Sequence, residues 1–224
     1  MTNGLKVKKR NGRGTEPLDL EKIHTMVEEA CKDVTGVSAS QVEIQSGIQF
    51  YDGISTAEIQ DILIKSASDL ITLDNPNYQF VAARLLLFAT RKSLYGRSRD
   101  LPPLEDHIMN CTNIDVYDKE IFGKYSKEEI QKADSFIDHE RDFLFTYAGL
   151  RQVVDKYLVQ DRSTGKVYET PQFMYMMIAL TIFSNYPKET RLDYVQRYYN
   201  AISRHKLNIP TPIMAGVRTP IRQF

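Results

Sequence analysis

Apolar and polar positions alternate with a strand period at the start of the chain and then change to a helix period. In "LKVKKRNGRGTEPLDL", Leu5, Val7 and Lys9 alternate with polar neighbours. The pair Asn11-Gly12 favours a tight turn, so a β-hairpin is predicted here. Asp19 is then placed to cap a helix. The apolar positions of that helix recur every three or four residues, at Ile23, Met26, Val27, Ala30, Cys31 and Val34.

Helix starts are marked by residues that satisfy free backbone amides. The stretches 38–41 (SASQ), 55–58 (STAE) and 126–129 (SKEE) each have a hydroxyl followed three residues later by Glu or Gln, which is the pattern of a capping box. The Asn-Pro pair at 75–76 and the Thr-Pro pair at 170–171 put a capping residue before a proline at the first helical position. Each of these places predicts the beginning of a helix.

A third short strand is predicted between the second and third helices. In "GIQFYDG", Ile48 and Phe50 alternate with Gln49 and Tyr51, and this strand could join the hairpin in a three-stranded sheet. The fourth helix is expected to stop near Gly96. The first part of the chain is therefore predicted to be a small sheet that caps four helices.

The stretch 97–106 (RSRDLPPLED) interrupts the periodicity and predicts a domain boundary. Beyond it the chain is mainly helical, with a second hairpin predicted at 156–169. Residues 170–185 are apolar on nearly all sides of a helix, and 188–203 form an amphipathic helix. The last fourteen residues, 211–224 (TPIMAGVRTPIRQF), have two prolines and no helix period, and an extended segment is predicted. The fold class is mainly α.

Composition narrows the classes of protein that fit this fold. The chain has 224 residues, 42% of them hydrophobic, and 29 basic side chains balance 29 acidic ones. A net charge of zero argues against a protein that binds nucleic acid by neutralising phosphates. No apolar run approaches the length of a membrane span, and the start lacks the apolar core of a signal peptide, so a cytoplasmic protein is expected. Cys31 and Cys111 form no C-x-x-C motif and are interpreted as packed thiols.

Cationic side chains gather in two places. The first hairpin and the following helix carry Lys6, Lys8, Lys9, Arg10 and Lys22, and the end of the fourth helix carries Arg91 and Lys92. These groups could converge on one anion, with help from the amides of a helix N-terminus. They could equally be a solvated basic strand and cations that favour a helix C-terminus. The residue spacing leaves both interpretations open.

No catalytic apparatus is visible in the residues alone. The stretch 134–145 (DSFIDHERDFLF) is rich in carboxylates, but these are expected near a helix start, and no second histidine stands at metal-ligand spacing. His24, His107 and His205 have no partner that the sequence reveals. Nucleophile elbows and H-E-x-x-H motifs do not occur. We therefore assign no catalytic residue and no metal ligand.

Several long stretches, in a consistent order, resemble one family. They are "VKKRNG…LDLEKI", "IQFYDGISTAEI", "PNYQFVAARLLLFATRKSLYG", "FIDHERDFLFTYAGL", "KYLVQDRSTGKVYETPQFMYM" and "LNIPTPIMAGVRTPIRQF". The chain resembles the N-terminal portion of the large, catalytic subunit of aerobic class Ia ribonucleotide reductase, and the bacterial and phage members are the most similar. The resemblance runs from about residue 5 to residue 224. It implies a part of ribonucleoside-diphosphate reductase, an enzyme that makes deoxyribonucleotides for DNA synthesis.

The resemblance implies that residues 1–100 are an ATP-cone, an allosteric domain of four helices under a three-stranded sheet. Such domains bind ATP, with Mg²⁺, as an activator and, in many members, dATP as an inhibitor. The positions that match the nucleotide-binding residues are Lys9, Glu16, Pro17, Leu18, Asp19, Leu20, Glu21, Lys22, Thr56 and Lys92. Lysines are compact charges suited to a triphosphate.

Three residues depart from the pattern of the relatives that dATP inhibits. Many of those relatives have histidines at the positions of Gln60 and Ala89, and an aspartate at the position of Glu58. The departures predict that dATP, if it binds, inhibits weakly or not at all.

The rest of the chain resembles the region that leads to the catalytic barrel. Residues 101–208 correspond to the helical domain that flanks a ten-stranded α/β barrel, and 209–224 to an extended segment that leads into the first barrel strand. Thr211 matches a residue that contacts the substrate diphosphate. In the family the next residues are two serines and a redox-active cysteine, so the catalytic cysteines are expected on a separate or missing C-terminal portion, as in a split subunit.

The resemblance also implies partners. They are the C-terminal portion with the cysteines, a radical-generating di-iron small subunit, and further copies in a homo-oligomer of the assembled large subunit. The chain alone would be inactive. The alternative interpretation is a free-standing ATP-cone module that regulates or promotes assembly without a catalytic role. A repressor with an ATP-cone is disfavoured, since such proteins pair the cone with a zinc ribbon that this sequence lacks.

Overall fold

The structure is a computed structural model that describes residues 4–9 and 14–221. These residues form two compact units. The first comprises the chain up to Ala89 together with Phe145–Arg151, and the second comprises Thr90–Leu144 and the chain from Gln152 onward.

A three-stranded sheet opens the first unit, as the sequence predicts. The strands are β1 (Lys6–Lys8), β2 (Thr15–Pro17) and β3 (Ile54–Ser55), in the order β2-β1-β3. β1 pairs with β2 in antiparallel fashion and with β3 in parallel fashion. The predicted turn at Asn11-Gly12 lies outside the described residues.

The third strand lies a few residues later than the sequence indicates. The alternation at Ile48 and Phe50 is not a strand, because the backbone of Ile48 stays helical at the end of α2 and its side chain is 83% exposed. Gly53 adopts a positive φ of 81°, which favours glycine, and its N–H donates to the carbonyl of Lys6 at 2.8 Å. This turn brings Ile54 beside Val7, and both side chains are buried.

Four helices pack with this sheet, and the predicted number is confirmed. They are α1 (Leu20–Cys31), α2 (Ala39–Gly47), α3 (Thr56–Asp69) and α4 (Tyr78–Tyr95), of which α4 begins in the first unit and ends in the second. α2 packs against α1 and α3. Side chains at helical spacing fill the core of the unit and are completely buried, among them Val27, Ala30, Val42, Leu63, Ala67 and Val81.

The helix-start predictions are partly confirmed. Both halves of the capping box form at Ser55 and at Ser126. Ser38 precedes α2, but its side chain makes no capping bond, and Gln41 accepts a hydrogen bond from the Tyr78 hydroxyl instead. The first helical residue after the Asn-Pro pair is Tyr78, so α4 begins two residues later than Pro76.

The second unit is mainly helical. Its helices are α5 (Leu104–Asn113), α6 (Ile121–Lys124), α7 (Lys127–Asp134), α9 (Pro171–Ile182), α10 (Arg191–Ser203) and α11 (Thr211–Gly216). α8 (Tyr147–Gln152) lies almost wholly in the first unit and leads into a π-helical segment, Val153–Tyr157. The second predicted hairpin is confirmed as β4 (Gln160–Asp161) and β5 (Lys166–Val167).

α9 forms the centre of the second unit. Every residue from Pro171 to Leu180 is buried, as expected for a helix that is apolar on all sides. α10 packs against α9 and buries Val195, Tyr199 and Ile202. In the part of the chain that the structure describes, no helix is long and apolar enough to cross a membrane.

The prediction of an extended segment over 209–224 is wrong at Thr211–Gly216, which form α11. A proline within the first turn does not prevent a helix, because the first amides have no intrahelical partner. Tertiary contacts then stabilise this short helix, since Met214 and Arg218 are buried. Residues 222–224, the last residues of this predicted segment, lie outside the described residues.

Candidate nucleotide and substrate sites

The register of the first sheet brings the candidate nucleotide residues to one edge. Lys8 is paired with Thr15 on one side and with Ser55 on the other. Lys9 and Thr56 each follow directly after these paired positions, at the carboxyl ends of the parallel strands β1 and β3. Neighbouring strands lie about 5 Å apart, so Lys9 and Thr56 begin from neighbouring points of the backbone.

Lys9 forms an exposed ion pair at this edge. Its Nζ lies 2.7 Å from Oε2 of Glu16, and both side chains are more than a third exposed. The hydrogen bond from Lys9 lowers the pKa of Glu16 below its usual value. A surface pair of this kind contributes little to stability, so the lysine can be redirected to a phosphate at small cost.

A second exposed pair lies at the start of α1. The Asp19 carboxylate accepts from the backbone N–H of Lys22 at 3.3 Å and caps the helix, as predicted. The Nζ of Lys22 lies 3.1 Å from the other oxygen of Asp19, and the Lys22 side chain is 76% exposed. The hydrogen bonds from Lys22 lower the pKa of Asp19.

The loop between β2 and α1 holds the remaining candidates. The N–H of Leu18 donates to the carbonyl of Leu5 at 2.8 Å, which fixes the loop to β1. Pro17 ends β2, Leu20 begins α1 with its side chain 45% exposed, and Glu21 lies in the first turn.

Thr56 is the first residue of α3, beside a network of side chains around the helix start. Oε2 of Glu58 accepts from the backbone N–H of Ser55 at 2.8 Å, and Oε1 accepts from the Tyr51 hydroxyl at 2.9 Å. The hydrogen bonds from Ser55 and Tyr51 lower the pKa of Glu58, and the bond to Glu58 raises the pKa of Tyr51. Glu58 is therefore occupied by the capping box and held as a carboxylate.

The two cations at the end of α4 have different environments, so the idea of an Arg91-Lys92 anion cluster is wrong. Arg91 is 4% exposed and donates to Asp142 at 2.9 Å and to the carbonyl of His139 at 2.9 Å. Asp142 is also buried and accepts from Gln172 at 2.8 Å, so it is a packed ion-pair partner and not a solvated helix-start residue. Lys92 is exposed in the last turn of α4, within the second unit.

Thr211 begins α11 and lines a cleft in the second unit. The cleft has a volume of about 820 Å³, and the cations Lys156 and Arg162 line it together with Asp115 and Asp161. The hydroxyl oxygens of Thr211 and Tyr157 are 3.4 Å apart. The hydrogen bond with Thr211 lowers the pKa of Tyr157. Hydroxyl groups and cations in one cleft can hold an anionic group such as a phosphate.

Comparison with known proteins assigns the chain to a family. Residues 5–93 match the ATP cone domain, and residues 143–222 match the family described as ribonucleotide reductase, all-alpha domain. The whole chain is 50% identical to ribonucleoside-diphosphate reductase 1 subunit alpha of Escherichia coli (strain K12). The chain belongs to the ribonucleotide reductase family.

Other relatives agree with this assignment. The ribonucleoside-diphosphate reductase subunit alpha of Haemophilus influenzae is 50% identical over the whole chain. The subunit alpha of Enterobacteria phage T4 is 47% identical over 191 residues, which are 84% of this chain and 25% of that protein. The chain spans 29% of the length of the bacterial relatives. The predicted resemblance to a part of the ribonucleotide reductase large subunit is confirmed.

Sequence reasoning missed buried polar contacts in this ribonucleotide reductase chain. His107 lies 3.0 Å from the Tyr117 hydroxyl and 3.3 Å from the Tyr95 hydroxyl, and Glu169 is paired with Arg218. These partners are up to 49 residues apart in the sequence, and no local sequence pattern predicts that they meet. Within residues 4–9 and 14–221, no group of three His, Cys, Asp or Glu residues could hold a metal ion.

Proposed function

We propose that this chain is the nucleotide-sensing and substrate-contacting part of a ribonucleoside-diphosphate reductase, the enzyme that reduces ribonucleotides to deoxyribonucleotides. The observation that carries the proposal is the placement of Lys9 and Thr56 at one sheet edge, within the segment that matches the ATP cone domain. The allosteric ligand is ATP, bound with Mg²⁺.

The chemistry of the residues fits a nucleotide triphosphate. Lys9 and Lys22 are exposed cations whose present partners, Glu16 and Asp19, hold them through surface ion pairs. These lysines bind the phosphates, and Thr56 offers a hydroxyl and the first amides of α3. Residues 16–22 form the adjacent wall of the site. Lys92 is included among the nucleotide-binding residues only because of the family resemblance.

The second role is to complete the site of the reductase substrate. Thr211 contacts the diphosphate of the ribonucleotide from the cleft beside α11. The two cysteines of this chain are unsuited to redox catalysis, because burial raises the pKa of Cys31 to about 11 and that of Cys111 to about 12. The catalytic cysteines therefore lie in another portion of the large subunit, and a di-iron small subunit supplies the radical.

The proposal is tested by binding and by reconstitution. Titration calorimetry with Mg-ATP should show saturable binding to the chain. The chain alone should show no reductase activity, and it should support activity when combined with the cysteine-bearing portion and the small subunit. Binding of ATP without any support of activity in reconstitution would favour the alternative, a free-standing regulatory module. Absence of ATP binding would count against the allosteric role.

A further inference from the structure

A buried ion pair lies behind the short helix that carries Thr211. Arg218 is 1% exposed and Glu169 is completely buried. Nε of Arg218 donates to the two carboxylate oxygens of Glu169 at 3.1 and 2.8 Å, and Nη2 donates to the same carboxylate. Contact through two nitrogens of one planar group fixes the direction of the pair as well as its distance.

The same guanidinium reaches two backbone segments next to Thr211. Nη1 donates to the carbonyl of Met214, inside α11, and Nη2 donates to the carbonyl of Tyr157 at 3.1 Å. The hydroxyl of Tyr157 is the group that lies 3.4 Å from Oγ1 of Thr211. Arg218 therefore connects the helix that carries Thr211 with the residue that contacts the Thr211 hydroxyl.

α11 depends on such contacts for its position. It has six residues, follows Pro210 and contains Pro212 in its first turn. A helix of this length is unstable in water by itself. Met214 is the buried side chain of the helix, and its carbonyl is the one that Arg218 holds.

Glu169 is itself oriented by further donors. The Tyr117 hydroxyl donates to Oε2, and the backbone N–H of Val159 donates to Oε1 at 2.6 Å. Stability alone does not explain such a pair, because apolar replacements of both partners are often neutral or stabilising. A polar network in which every group has a partner fixes the geometry of its members. A binding site needs such fixed residues to support the side chains that contact the ligand.

We propose that Arg218 and Glu169 are positioning residues that set the location of α11 and of the Thr211 hydroxyl, so that the cleft is formed before the substrate diphosphate arrives. The pair acts through α11 and through Tyr157. This inference rests on the proposed role of Thr211 as a substrate contact.

The test compares Arg218→Lys with Arg191→Lys in the assembled reductase. Lysine keeps the charge but cannot hold a carboxylate and two carbonyls in one plane. Arg191 is the matched control, because its guanidinium is also buried and its Nε lies 2.7 Å from Glu129. In Arg218→Lys, amide hydrogen exchange of α11 should become about tenfold faster and the KM for the ribonucleotide should rise about tenfold, with kcat nearly kept. Arg191→Lys should change neither.

Thr211→Val separates this inference from the proposed function. If Thr211→Val raises KM while Arg218→Lys leaves α11 exchange and KM unchanged, the site stands and the positioning role is overturned. The other outcome is that Arg218→Lys changes the amide exchange of α11 and the stability of the chain, while neither Arg218→Lys nor Thr211→Val alters KM. The substrate role of Thr211 then fails, and the inference fails with it.

Tyr157→Phe covers the case in which Arg218→Lys does not fold. It removes one oxygen from a half-buried ring, and a KM increase of about threefold is expected from the lost hydroxyl contact. An unchanged KM in Tyr157→Phe, alongside a raised KM in Thr211→Val, would overturn the part of the proposal in which Tyr157 positions the Thr211 hydroxyl.

Discussion

The imidazole of His107 stacks on the ring of Phe173, with centroids 4.2 Å apart and 11° between the planes. His107 is buried, and burial lowers its pKa to about 4. Burial also lowers the pKa of His139, whose ring meets the same Phe173 edge-on, to about 4. Two neutral histidines thus contact one phenylalanine of the second unit.

The free energy of unfolding should therefore fall as the pH is lowered from 7 to 5. An unfolded histidine binds a proton near its usual pKa of about 6.5. The folded state resists protonation of His107 and His139 until about pH 4, so acid favours unfolding. We expect a loss of roughly 2 kcal/mol per histidine by pH 5, measured by urea denaturation. His107→Gln should have a shallower pH dependence, and an unchanged slope would contradict this explanation.

His24 should have the opposite pH dependence. Its Nδ1 lies 2.7 Å from Glu43 and its Nε2 lies 3.2 Å from Glu28. The hydrogen bond with Glu43, followed by the nearby carboxylates, raises the pKa of His24. Its contribution to stability is present below the unfolded pKa and is lost as the pH rises through the folded pKa.

The corresponding measurement is the Tm of His24→Gln. Because the pair lies at the surface, the variant should melt slightly below the unmodified chain at pH 5.5 and at the same temperature at pH 8.5. Glu43→Gln should reproduce this difference, since it removes the same pair from the other side. Equal losses at both pH values would show that the pair does not depend on protonation of His24.

Lys92→Ala should weaken the binding of Mg-ATP. The loss of one charge-assisted hydrogen bond to a phosphate should raise the Kd by roughly 10- to 100-fold in titration calorimetry. Lys65→Ala is the control, because Lys65 is an exposed lysine in a surface pair with Asp69 at 2.7 Å. Equal affinity of Lys92→Ala and Lys65→Ala would remove Lys92 from the site.

dATP should inhibit the assembled reductase weakly or not at all. Glu58 is held by the capping box and by Tyr51, and Gln60 is 5% exposed, whereas the family resemblance leads us to expect an aspartate and a histidine at these positions in inhibited members. A site discriminates one hydroxyl strongly only when its polar groups match it. The assay is turnover at rising dATP concentration. A steep fall that ATP reverses would show that these substitutions do not abolish inhibition.

The thiols should react slowly while the chain is folded. Burial raises the pKa of Cys31 to about 11 and of Cys111 to about 12, so little thiolate exists at pH 8. Alkylation by iodoacetamide at pH 8 should be slow for both cysteines and rapid in denaturant. Rapid modification of folded Cys111, which is 3% exposed, would contradict its buried position.

The sequence by itself determined the features that depend on near neighbours along the chain. The capping boxes at Ser55 and Ser126 and the cap at Asp19 form because each side chain accepts a hydrogen bond from the amide only three residues away. The apolar character of α9 is visible in its letters, and the family follows from long stretches of identical order. Hydrophobic period and local hydrogen bonding act over a few residues, so they can be read directly.

Tertiary structure alone decided the features that depend on partners far along the chain. β3 begins at Ile54 and not near Ile48, because pairing with β1 buries the Ile54 side chain beside Val7. α11 forms in a stretch whose prolines suggested an extended chain, because Arg218 donates to the carbonyl of Met214 inside the helix and is itself fixed by its pair with Glu169. The position of β3 and the formation of α11 both depend on contacts between residues about 50 positions apart. The free energy of these contacts exceeds the weak local preferences of the chain, and residue spacing along the sequence does not reveal them.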